Sequence, residues 1–212
     1  MSQLNNEAAV SEENISVNIR VRPLLTPEVN WGKLEAWSIP DKATISDSKT
    51  GRSYVFDRVF GTTATNQEIY SSLGSEVLQK VLRGYNSALF CYGQTSSGKT
   101  FTMHGIRPGN PGIVPMTIQD LFNHIQNTPH KEFLLRCSYL ELYNECINDL
   151  LNSRQVNLQL QEDKHRGTKV VGATEEICTS EEKVSALLYK GEAQRKIAST
   201  NFNLRSSRSH TM

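Results

Sequence analysis

The sequence predicts an α/β fold, and three observations carry that prediction. Strand-like and helix-like segments interleave along the 212 residues instead of falling into separate blocks. A short, nearly unbroken apolar run, residues 87–92 (SALFCY), has the character of a strand buried on both faces of a parallel sheet. That run feeds straight into a glycine-rich loop and then a helix-like segment, so the local order is strand, glycine loop, helix.

Taken in order, the first 14 residues are polar and acidic and read as a flexible tail, not a signal peptide. Val17, Ile19 and Val21 alternate with Asn18, Arg20 and Arg22, a two-residue period that predicts a half-buried strand ending at Pro23. Residues 25–49 read as irregular, with Pro27, Gly32 and Pro40 among several turn formers. Residues 51–61 (GRSYVFDRVFG) supply another short strand. Thr65 and Glu68 have the Thr-x-x-Glu form of a helix capping box. Ile69, Leu73, Val77, Leu78, Val81 and Leu82 then recur at helical spacing until Gly84 stops the run. A further helix is predicted over residues 113–126, with Ile118, Leu121, Phe122 and Ile125 on one face. Residues 133–143 look extended. Thr179 and Glu182 form a second capping box, after which Val184, Leu187, Leu188 and Ile197 carry a helix toward Thr200. There is no internal repeat and no low-complexity linker, so residues 15–212 read as one domain.

Composition narrows the function classes. With 37% hydrophobic and 21% charged residues, the chain has an ordinary globular make-up. Its 23 basic and 22 acidic residues nearly cancel, so binding to an acidic polymer would need a local patch. Cys91, Cys137, Cys146 and Cys178 form no CxxC pair, which favours reduced thiols over a disulfide framework or a zinc site. His104, His124, His130 and His165 are scattered and suggest no metal cluster. No apolar run approaches the roughly 20 residues needed to cross a bilayer.

The chemistry is concentrated in Gly93-Gln94-Thr95-Ser96-Ser97-Gly98-Lys99-Thr100, which matches G-x-x-x-x-G-K-[ST] at every position. Glycines let the backbone curl so that successive N–H groups face phosphate oxygens, and the following helix offers its positive end to the same anion. Lys99 can reach β- and γ-phosphates, and the Thr100 hydroxyl can ligate Mg²⁺. With ordinary residue usage, the four fixed positions coincide by chance in about one chain in a hundred of this length. A nucleotide-phosphate site follows.

Five blocks resemble the kinesin motor domain, in the family's order and at about its spacing. They are Arg20-Val21-Arg22-Pro23, Phe56-Asp57-Arg58-Val59-Phe60, residues 92–100 (YGQTSSGKT), residues 138–145 (SYLELYNE) and residues 203–210 (NLRSSRSH). Residues 157–175 also resemble the loop region between the two halves of that fold, and the wording is nearest to centromere-associated plus-end kinesins. The resemblance implies a P-loop ATPase with a central, mostly β sheet flanked by helices. It also implies ATP and Mg²⁺ as ligands, microtubule-stimulated hydrolysis, movement along microtubules, and a place on the cytoplasmic cytoskeleton without nucleic-acid or membrane partners. By position, Arg20 and Pro23 would flank the adenine and Phe101 would cover its other face, where the family often has a polar aromatic. Asn203 to His210 would be switch I, with Asn203, Ser206 and Arg208 acting around the γ-phosphate and its attacking water. Ser207, with Thr100, would hold the metal, and Arg208 would pair with an acidic residue of switch II. Lys164, Arg166 and Lys169 would face tubulin.

Blander readings stand beside these: a solvated basic strand face for Arg20 and Arg22, a basic Ser-rich tail for RSSRSH, and a solvated charged loop for Lys164 to Lys169. SYLELYNE reads as a fold marker, not as chemistry. A P-loop ATPase also needs an acidic residue from an apolar strand and a D-x-x-G turn. Asp149 and Asp163 follow no apolar run, and no Asp has a Gly three positions on. The expectation is therefore the N-terminal part of a kinesin motor domain, ending just after switch I. Residues 87–92 would then lack their neighbouring strands and leave backbone groups unpaired or mispaired. Three functions remain open, the first two being a microtubule motor ATPase and a nucleotide-binding fragment without motor activity of its own. A different P-loop enzyme is a third, and the lack of Asn-Lys-x-Asp counts against a GTPase. No heptad run indicates an oligomer.

Overall fold

The computed structural model describes residues 15–32, 35–106, 109–163, 167–200 and 209–212, so the expected tail at 1–14 lies outside the described residues. The chain divides into two compact units, Met1–Thr65 and Asn66–Met212. The first unit contains β1 (Asn18–Arg20), α1 (Thr26–Asn30), β2 (Trp37–Ser38), β3 (Thr44–Asp47), β4 (Ser53–Val55) and β5 (Arg58–Phe60). The alternation around Ile19 produces β1, which runs parallel to β5 with Ile19 opposite Val59. Asp57 anchors the start of β1 by accepting the Val17 N–H at 2.6 Å. The other three strands form an antiparallel meander. Its tight turn is held by Asp47, whose Oδ1 accepts the Lys49 and Thr50 N–H groups at 2.8 and 3.3 Å. Ile45, Val59 and Phe60 are the buried apolar residues of this unit.

Two expectations are corrected here. Residues 25–49 are not wholly irregular, because they contain α1, β2 and β3. Pro27 sits in the first turn of α1, where a missing N–H costs nothing. Glu28 reaches back to accept the Leu25 N–H at 2.7 Å while Arg22 grips both its oxygens at 2.7 Å. Residues 51–61 give two strands instead of one, because Phe56 and Asp57 turn away to donate to Ala43 O and Val17 O.

The second unit begins with α2 (Asn66–Ile69), which continues through a π-helical turn (Tyr70–Gly74) into α3 (Ser75–Leu82). At Gly74 a Cβ would lie 2.5 Å from Tyr70 Cδ2, so the ring takes space only glycine leaves. Then follow α4 (Lys99–Met103), β6 (Gly105–Ile106), β7 (Asn110–Pro111) and α5 (Ile113–Gln126), the last with the predicted bounds. The Tyr70 hydroxyl donates to Asp120 Oδ2 at 2.6 Å and ties the π turn to α5. Burial and then that carboxylate hold the phenol well above its ordinary range.

β8 (Arg136–Cys137), β9 (Leu140–Tyr143), β10 (Cys146–Asp149), β11 (Gln159–Asp163), β12 (Gly167–Val171), β13 (Glu176–Ile177), α6 (Glu181–Thr200) and β14 (Ser209–Thr211) complete the chain. β9 is the middle strand of an antiparallel trio with β10 and β14, while β8 pairs with β13 and β11 with β12. Asn144 and Glu145 join β9 to β10 with φ of 50° and 62°, the two-residue turn whose twist suits a hairpin. The core beside these strands is Tyr139, Leu150, Leu151, Cys178 and Leu187, with Val184 and Leu188 of α6 packed on it.

One further expectation changes, and the strand character of residues 87–92 gives way to the lack of neighbouring strands that was also expected. α6 is capped by Ser180, not Thr179: the Ser180 hydroxyl accepts the Lys183 N–H at 3.3 Å. Residues 87–92 form no strand among the described residues, and Phe90 and Tyr92 are 84% and 98% exposed. Apolarity favours burial, but a strand also needs a neighbouring ladder, which no pattern within one segment specifies.

Candidate functional site

The glycine loop is built by its two end residues and its lysine. Gly98 takes φ 98°, ψ 15°, the left-handed conformation that only glycine adopts cheaply, and from there the chain enters α4. At Gly93 a Cβ would come within 2.5 Å of Ser97 Oγ, so a side chain there would push the loop open. Between them the Ser97 N–H donates to Gln94 O at 3.2 Å, and Ser96 is carried at φ 64°. The Lys99 ammonium folds back across the loop and donates to Gly93 O at 2.6 Å and to Gln94 O at 2.8 Å. An ammonium has three protons, so one remains to donate, and among the described residues no carboxylate neutralises the charge.

α4 is short and depends on tertiary support. Its first intrahelical bond runs from the Thr102 N–H to Gly98 O at 2.9 Å, and the Thr102 hydroxyl donates to the same oxygen at 3.0 Å. Asn66, only 1% exposed, donates its side-chain amide to Phe101 O at 3.0 Å and Pro111 O at 3.1 Å. It thereby joins α2 to both α4 and β7. Where the chain returns, a Cβ on Gly105 would lie 2.2 Å from Asn110 O, and one on Gly112 would lie 2.4 Å from Met103 O. Backbone packs directly on backbone at both places, which fixes α4 against the start of α5. The sequence reading did not single out Asn66. Its signal was a polar residue in phase with Ile69 and Leu73 on an otherwise apolar helix face.

Thr100 is exposed in the first turn of α4 and Phe101 is half-buried beside it. Loop backbone, first-turn amides, an un-neutralised ammonium and a hydroxyl oxygen form a donor set that suits a phosphate chain carrying Mg²⁺. A concavity of about 390 Å³ lies elsewhere, lined by Phe122, Phe133, Ile177 and Glu181 among others, and includes no loop residue. A phosphate loop works as a shallow nest of donors, so enclosed volume does not mark it.

The other expected site residues are distributed as follows. Arg20 ends β1 in the first unit, its guanidinium donating to Ala64 O at 3.1 Å, and Pro23 follows as an exposed residue of that unit. Asn203, Ser206, Ser207 and Arg208 lie outside the described residues, as do Lys164 and Arg166. Lys169 is exposed on β12, opposite Gln161. Gly93 to Phe101 thus lie together in one continuous loop and helix start. Among the described residues, no helix is long and apolar enough to cross a membrane.

An α/β domain whose glycine loop turns into a helix behind a loop-closing lysine is of the P-loop type. Comparison with known proteins narrows this. A family model described as the kinesin motor domain matches residues 20–212. Kinesin-like protein KIN-7G of Oryza sativa subsp. japonica is 45% identical over 206 residues, which are 97% of this chain and 22% of that protein. Kinesin-related protein 11 of Dictyostelium discoideum is 46% identical over 172 residues, 80% of this chain and 25% of that one. The structure of a fast kinesin, described for its ATPase mechanism and interactions with microtubules, superposes with a TM-score of 0.88 at 32% identity. That match covers 93% of this chain and 57% of the other. The chain belongs to the kinesin motor-domain family. It spans about a quarter or less of the length of these two curated relatives.

Proposed function

We propose that this chain binds Mg·ATP through Gly93 to Thr100 and serves as the nucleotide-binding part of a microtubule motor ATPase. The observation that carries the reading is Lys99, held across the loop mouth by Gly93 O and Gln94 O with its charge un-neutralised among the described residues. Loop amides and Lys99 would hold the phosphates, while Thr100 and Ser207 would hold Mg²⁺, which neutralises charge building on the phosphate oxygens. Ser206 would orient the attacking water, with Asn203 and Arg208 completing the γ-phosphate end. By family position, Arg20, Pro23 and Phe101 would each make apolar contact with the adenine. Lys164, Arg166 and Lys169 would supply positive charge to the microtubule surface, placing the protein on the cytoskeleton.

A second reading, nucleotide binding without turnover, is favoured by the exposed residues 87–92, which leave the loop without a strand behind it. Steady-state ATP hydrolysis by residues 1–212, with and without polymerised tubulin, separates the two. Microtubule-stimulated turnover that Lys99→Ala abolishes supports the motor ATPase. Saturable nucleotide binding that Lys99→Ala abolishes, with no turnover in either condition, supports binding alone. Binding that survives Lys99→Ala would refute the site.

A further inference from the structure

The concavity of about 390 Å³ lies where three stretches of the second unit meet: the C-terminal end of α5, residues 133–135 before β8, and the junction of β13 with α6. Its floor is buried, with Phe122 and Cys178 at 9% and 5% exposure, whereas Ile177 on its lip is 57% exposed. The walls are held in place. Phe133 meets the His124 ring edge-on at 6.0 Å, and the Cys178 N–H donates to Leu135 O at 3.0 Å. An apolar hollow of this size falls within the range of small-molecule sites, about 300–1,000 Å³. Among the described lining residues, Glu181 and Glu182 alone carry charge. Glu182 is already engaged, because the Ser180 hydroxyl and then its own N–H hold its carboxyl below the ordinary range. Lys183, the neighbouring cation, is taken by Glu176 at 3.3 Å. Glu181 is half-buried and, among the described residues, has no ion-pair partner.

We propose that this concavity binds a small organic cation, its aromatic body against Phe122, Phe133 and Ile177 and its ammonium at Glu181. Charge complementarity sets the sign of the ligand. A half-buried carboxylate beside apolar walls gains from a cation, whereas an anion would meet two carboxylates. The concavity includes no residue of the glycine loop, β6 or β7, so the inference stands apart from the nucleotide reading and does not depend on it.

The test uses the full chain and three probes that share one aromatic body: naphthylmethylammonium, naphthylmethanol and naphthoate. Binding at neutral pH is followed through the methyl NMR shifts of Ile125 and Leu135, which line the concavity. The cation should bind about fivefold more tightly than the alcohol, the worth of one favourable, partly exposed ion pair. Naphthoate should bind more weakly than the alcohol. Glu181→Gln should bring the cation level with the alcohol and leave the alcohol's own affinity unchanged, whereas Glu182→Gln should keep the preference. Ile177→Ser changes an exposed lip residue and spares the fold. It should weaken cation and alcohol by a common factor of about three, the scale of losing part of an isoleucine's apolar contact. The proposal is overturned if the wild type binds none of the probes, or binds them without moving the Ile125 and Leu135 methyl signals. A cation that shows no advantage over the alcohol, or keeps its advantage in Glu181→Gln, also overturns it. So does binding that Ile177→Ser leaves untouched.

Discussion

Replacing Gly191 with alanine in the middle of α6 should destabilise the protein, although the same change in an exposed helix stabilises it. Alanine gains about 0.8–1.0 kcal/mol over glycine in a helix interior. Here a Cβ would lie 2.2 Å from Tyr139 Cδ1, 2.6 Å from Cε1 and 3.2 Å from Leu150 Cβ. Ordinary carbon contacts need roughly 3.5–4.0 Å, so helix and ring must separate by about 1.5 Å. The ring cannot swing away cheaply, because Tyr139 is buried and its hydroxyl is bonded to Glu192. Overpacking of this kind costs typically about 1–3 kcal/mol. With the contact this short we take the upper end, which leaves a net loss of about 2 kcal/mol after the helical gain. Urea unfolding measures it directly, and a Tyr139→Leu background supplies the internal control. Without the ring, Gly191→Ala should change sign and stabilise by up to about 1 kcal/mol. If Gly191→Ala already stabilises the wild type, α6 does not rest on Tyr139 as described.

Asn66→Ala removes two buried hydrogen bonds to main-chain carbonyls and should cost about 2–3 kcal/mol in urea unfolding. It should also weaken nucleotide binding, because α4 loses its anchor; unchanged binding would separate Asn66 from the site. The Glu28 carboxylate is held down to about 2 by the Arg22 guanidinium first and the Leu25 N–H second, against an ordinary value near 4.5. A depressed carboxylate stabilises the fold above its unfolded value, so this contribution is complete above about pH 4.5 and is lost as pH falls toward 2. A carboxyl-carbon NMR titration should show that low midpoint, and Arg22→Gln should return it toward the ordinary range. Ser180→Ala, by removing the cap of α6, should cost about 1 kcal/mol, whereas Thr179→Ala should cost less. Equal losses would restore Thr179 as the cap.

Much of this was legible in the chain. The loop from Gly93 to Thr100 is continuous in sequence, and its glycine positions and lysine answer to local backbone geometry, so one segment contains the whole argument. The helix Ile113–Gln126 was equally plain, because its apolar period repeats over enough turns to set both ends. Local polarity also placed β1, which needs only the one parallel neighbour β5 and stays half-buried along its length.

What escaped depended on partners far along the chain. Residues 87–92 have a strand's composition, and the expectation that they would lack neighbouring strands is met: without a second ladder for their N–H and C=O groups they form no strand. The cap of α6 shifted by one residue because Thr179 and Ser180 are chemically alike, and the path of the chain decides which hydroxyl faces the Lys183 amide. Asn66 and Glu141 looked like ordinary polar positions in a helix and a strand. They became buried anchors only when Phe101 and Pro111 closed on the one, and Ser209 and Arg195 on the other. The sequence by itself determined the phosphate loop, the family and most helices, since each is written in contiguous residues. Only the tertiary structure decided which polar groups are buried and what they hold, since burial depends on segments 35 to 68 residues apart coming together.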